Sequence, residues 1–150
     1  MAKSRDDKTM NLFNWTPPQP AKAFEPEKVR AADLRATFCR GMSLALKECG
    51  KPREQVAEEM GSFLGEGCPK NMLDKYVSEA SEDHSVTLVR FSALVHATRD
   101  MRLLQMLAQQ FGWAVIPEKF LPAIEEAVLA DKIEELQQRQ KMARRTWKGA

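Results

Sequence analysis

Several features that would point to a compartment or a chemistry are missing from this chain. No apolar run approaches the roughly 18 residues of a membrane span. The opening MAKSRDDKTM lacks the apolar stretch of a secretory leader. Both absences predict a soluble, cytoplasmic protein with no membrane partner. Cysteine is scarce: Cys39, Cys49 and Cys68 form no C-x-x-C pair, and neither His84 nor His96 stands at finger spacing from them. That excludes a disulfide framework and a zinc finger, and predicts three reduced thiols. Also missing are H-E-x-x-H, G-x-S-x-G, a phosphate loop and a glycine-rich dinucleotide turn. Cys68, at the start of a helix, has no partner base nearby and reads as a capping or packing residue. The chain is therefore expected to be no enzyme and to carry no cofactor and no metal. No segment alternates in the manner of a strand, and no repeat is visible.

What is present is 43% apolar residues in a chain of 150, enough for one compact domain with tails. Net charge is only +2, from 23 Lys+Arg against 21 Asp+Glu. Its distribution is uneven. Beyond Glu135 no acidic residue occurs, whereas Arg139, Lys141, Arg144, Arg145 and Lys148 follow. That end is the one strongly polarised segment.

Residues 1–27 contain Pro17, Pro18, Pro20 and Pro26 and no sustained apolar period, which predicts a disordered, flexible arm. Within it, Leu12-Phe13-Asn14-Trp15 either docks on the chain's own domain or serves as a binding motif for a protein partner. From Glu27 to Cys49 apolar residues recur at helical spacing up to Gly50, predicting one long helix. Pro52 opens a short second helix, with Val56, Ala57 and Met60 on one face and Gly61 as its stop. Phe63 and Leu64 are expected beneath the glycine-rich turn that follows. Pro69 begins a third helix with Met72, Leu73, Tyr76 and Val77 inward. Thr87 and Asp100 are N-cap candidates for a fourth and a fifth, the fifth stopped by Gly112. Trp113–Ile116 reads as an extended apolar strap. A last helix from about Glu118 carries Ile124, Val128, Leu129, Ile133 and Leu136 on a stripe. The predicted fold is all-α: a small helical helix-turn-helix domain of about five helices over residues 28–116, a disordered arm over 1–27, and a C-terminal helix with a basic tail over 117–150.

The segment Pro52–Ser81 has the order of a helix-turn-helix: a short helix with a small residue where helices cross, a glycine, and a second helix with apolar anchors and a polar outer face. The turn must be expanded, because a standard one would set Gly67 and Lys70 at apolar positions. Such a second helix fits the major groove of double-stranded DNA. Its outward residues are Lys70, Asn71, Asp74, Lys75 and Ser78. Asn71 suits a bidentate contact to adenine, and Lys70 or Lys75 a contact to guanine or phosphate. Lys51 and Arg53 are placed to hold phosphates, as are Arg139, Lys141, Arg144, Arg145 and Lys148.

The run EQVAEEMGSFLGEGCPKNMLDKYVSEA, followed by HSVTLVRFSALVHATRDMRLLQMLAQQFG, resembles the regulatory helix-turn-helix proteins of temperate and Mu-like transposable phages, including the CII-like phage regulators. The resemblance spans about residues 50–112. It implies sequence-specific DNA binding in phage or prophage regulation of transcription or transposition, inside a bacterial host cell. Two other readings stay open: a DNA-packaging recognition subunit of the small-terminase kind, and a protein-interaction module. Leu129, Ile133, Leu136, Gln140, Ala143 and Trp147 follow the 4-3-4-3-4 spacing of a coiled-coil seam. That helix, over 118–136, either packs on its own domain or forms a homodimer.

Overall fold

A computed structural model describes residues 19–81 and 83–149. Among them the regular structure is entirely helical. Two compact units are distinguished: one spans Pro20–Val115, and the other contains the C-terminal helix. The Leu12–Trp15 motif lies outside the described residues.

Among its described residues the first unit contains six α-helices: α1 (Pro26–Val29), α2 (Leu34–Glu48), α3 (Arg53–Leu64), α4 (Lys70–Tyr76), α5 (Leu88–Thr98) and α6 (Arg102–Gln109). The single long helix expected over Glu27–Cys49 is in fact two. Asp33 breaks it, because its carboxylate accepts the Ala36 N–H at 2.7 Å and so caps a new helix start. The unit also begins before residue 28: Phe24 is buried in the core, and the Ala21 N–H donates to the Val115 carbonyl at 2.8 Å. The 113–116 strap is thereby paired with the segment leading into α1. Gln105, itself buried, accepts the Val115 N–H at 2.8 Å. Trp113 remains exposed, so the strap is held by backbone bonds more than by apolar cover.

Met42, Val56, Met60, Leu73, Leu94 and Leu103 are fully buried, so α2 to α6 share one core. α3 packs most extensively on α5. Small residues permit the approach: Ala57 on α3, and Ala93 and Ala97 on α5, are all buried. Thr87 caps α5 through the Arg90 N–H. Asp100 stands one residue before the cap position of α6, yet its carboxylate still accepts the Arg102 N–H at 3.0 Å.

Gly61 does not stop α3. The helix continues to Leu64 and ends at Gly65, which takes the left-handed conformation at φ +70°. Gly61 is needed for another reason: a Cβ there would stand 2.9 Å from the Glu66 carbonyl oxygen, so the chain leaving α3 folds back over a bare backbone. The turn is accordingly residues 65–69. Leu64 packs against the core, whereas Phe63 is half exposed and stacks on His96 with ring centroids 4.3 Å apart.

The second unit is a short 3-10 turn, Glu118–Phe120, leading into α7 (Leu121–Lys148). Pro122 sits in the first turn of α7, where its missing N–H costs no helical bond. None of the side chains of α7 is buried. No helix among the described residues is long and apolar enough to cross a membrane.

Candidate nucleic-acid interface

α4 has seven residues, about two turns, and cannot hold its shape alone. Leu73 (0% exposed) and Tyr76 (6%) fasten it to the core from beneath. The outward side then carries Lys70, Asn71 and Lys75, all exposed. This is the amphipathic arrangement expected from the sequence.

Polar contacts fix the helix at both ends. On α3, Arg53 pairs with Asp74, and Glu54 pairs with Lys70 at 2.6 Å. The Lys70 ammonium holds the Glu54 carboxyl below its ordinary range, and Glu54 in turn raises Lys70. From α5, the Arg90 guanidinium donates to the Tyr76 hydroxyl at 2.6 Å and pairs with Glu66 of the turn at 3.2 Å. From α2, the Cys39 thiol donates to the Tyr76 carbonyl at 3.4 Å, and Arg35 donates to the carbonyls of Glu79 and Ser81. Arg40 forks onto Glu79, at 2.7 Å from Nε. Burial pushes the Cys39 thiol up, so it stays a donor.

These contacts revise several expected roles. Arg53 is engaged by Asp74, and both act to hold α3 against α4. Lys51 donates to Glu59 at 2.6 Å and to the Ala97 carbonyl at 2.8 Å, which ties the α2–α3 turn to the end of α5. Ser78 lies beyond the end of α4, half-buried, with its N–H on the Lys75 carbonyl, so it is not on the outer face of that helix. Lys70 is exposed but already paired. Asn71 and Lys75 are the two residues of the expected set that α4 presents outward without an ion pair among the described residues.

Cys68, half-buried before α4, has its thiol pushed up by burial, with Arg90 only partly opposing this. Arg35, Arg40 and Arg90 escaped sequence reasoning. The partners through which they hold α4 and the segment after it lie 14 to 46 positions away in the chain, beyond the reach of any local pattern.

Residues 20–115 hold 13 Lys+Arg and 13 Asp+Glu, so the α4-bearing unit is formally neutral. Positive charge is concentrated at the C-terminal end of α7, beyond Glu135. There Arg139 pairs with Glu135 at 2.8 Å, one turn back along the helix. Lys141, Arg144, Arg145 and Lys148 are exposed and take part in no ion pair among the described residues. No protein-family model, curated protein or solved structure matches the chain.

Proposed function

We propose that the chain is a non-enzymatic, sequence-specific DNA-binding protein in which α4 enters the major groove and occupancy of the site regulates transcription or transposition. The observation that carries this reading is the two-sided character of α4. Leu73 and Tyr76 are buried while Asn71 and Lys75 point away from the core, and ion pairs to α3 and the Arg90–Tyr76 hydrogen bond from α5 set the helix's orientation before any ligand arrives. An amide on a pre-oriented helix is suited to the paired donor and acceptor of adenine, worth about 1–3 kcal/mol of discrimination. The resemblance of residues 50–112 to phage regulators supports the same reading and suggests a phage or prophage setting. A neutral domain gains little from phosphates, so the nonspecific share of affinity falls to the basic end of α7.

Anisotropy titrations of a labelled duplex over a salt series test this. Affinity falls as salt rises, and replacing Lys141, Arg145 and Lys148 together by Ala lowers the slope by up to about 2.7, at about 0.9 per lost phosphate contact. Binding that is indifferent to salt contradicts any phosphate-contacting mode. The unburied stripe on α7 favours a second, compatible role in protein association.

A further inference from the structure

α7 is 28 residues long, about 42 Å at 1.5 Å per residue, and leaves all its apolar side chains at least partly in water. Leu129, Ile133 and Leu136 are each more than half exposed, and Trp147 is 77% exposed. These residues lie on one 4-3-4-3-4 seam, the spacing that receives a second helix. A contiguous apolar patch left in water marks an association surface.

Charge selects the occupant and its direction. From Glu118 to Glu135 the chain carries Glu118, Glu125, Glu126, Asp131, Glu134 and Glu135 against Lys119 and Lys132, a net charge of −4. From Leu136 to Lys148 it carries five bases and no acid, a net charge of +5. At 100° per residue, Glu125 and Glu126 flank the seam near one end, and Arg139 and Arg144 flank it near the other. Two copies laid in the same direction would set carboxylate on carboxylate and guanidinium on guanidinium. Laid in opposite directions, each acidic half meets a basic half.

We infer that α7 is a self-association helix, pairing antiparallel with α7 of a second copy of this chain through the Leu129–Ile133–Leu136 seam. Lys141, Arg145 and Lys148 fall on the far side of each helix and stay open to phosphate. The pairing therefore agrees with the DNA-binding reading without resting on it.

Sedimentation equilibrium of the full chain, over a hundredfold range of concentration, tests the pairing. The expected mass is twice the chain's 17.0 kDa. The variants E125K/E126K and R139E/R144E each dissociate at least about tenfold more readily, because each sets like charges across the seam. The chain carrying all four changes returns to within about threefold of the unaltered one. Since it contains every substitution, that recovery also excludes misfolding as the cause of the single-set losses. A monomer throughout the range, an assembly larger than two, a dimer indifferent to the reversals, or no recovery in the combined chain overturns the inference.

Discussion

Leu73→Ala destabilises the Pro20–Val115 unit by about 2–5 kcal/mol, the usual cost of emptying a fully buried leucine site. The large effect follows from position. Leu73 is completely enclosed and is one of only two buried anchors on a helix of seven residues. With Leu73 gone, α4 keeps one buried anchor, Tyr76, and its ion pairs to α3, which lie at exposed positions where such contacts contribute little. A loss of this size is a large part of the 5–15 kcal/mol that a domain ordinarily has. Amide hydrogen exchange in α3 and α5 measures it, with α4 losing protection first. A cost below about 0.5 kcal/mol would show that α4 is not fastened through Leu73.

Asn71→Ala acts oppositely, on recognition and not on folding. The residue is exposed, so stability stays within about 0.5 kcal/mol. Affinity for the preferred duplex, selected beforehand from a random pool, falls about 10- to 100-fold, while affinity for random duplex changes little. Lys75→Ala gives the contrasting pattern, weakening all duplexes alike and lowering the salt slope by about 1. Competition titrations with both duplexes separate the two outcomes. An equal loss on both duplexes for Asn71→Ala would remove it as a base reader.

The contrast between these two positions was legible in the sequence. Pro69 followed by Leu73 and Tyr76 at helical spacing indicated which side of α4 is buried, and the all-helical class followed from the same periodicity. Thr87 was recognisable as a cap because capping is local. Three things were not legible, each for a physical reason. GSFLGEGCP offers three glycines as helix stops, and choosing Gly65 over Gly61 depends on which backbone turns left-handed and which lies under the returning chain. The break at residues 30–33 depends on Asp33 outcompeting an apolar period that runs through it. The contacts of Lys51 and Arg53 depend on neighbours set by the fold: Glu59 and the Ala97 carbonyl for the lysine, Asp74 for the arginine.

For the site, this narrows the expected set. Of the residues assigned to the outer face of the second helix, Asn71 and Lys75 keep that position unpaired, Lys70 keeps it while bound to Glu54, Asp74 turns to Arg53, and Ser78 falls outside the helix. The bases on α7 keep their exposure, as do Leu129, Ile133 and Leu136 before them.

Backbone and side-chain amide shifts, followed by NMR as a short duplex is added to the full-length chain, test most directly whether α4 is the surface that meets DNA. The largest changes should fall on residues 69–76 and on the Asn71 side-chain amide, with smaller ones near Lys141–Lys148. Changes confined to α7, or none at all, would contradict the assignment.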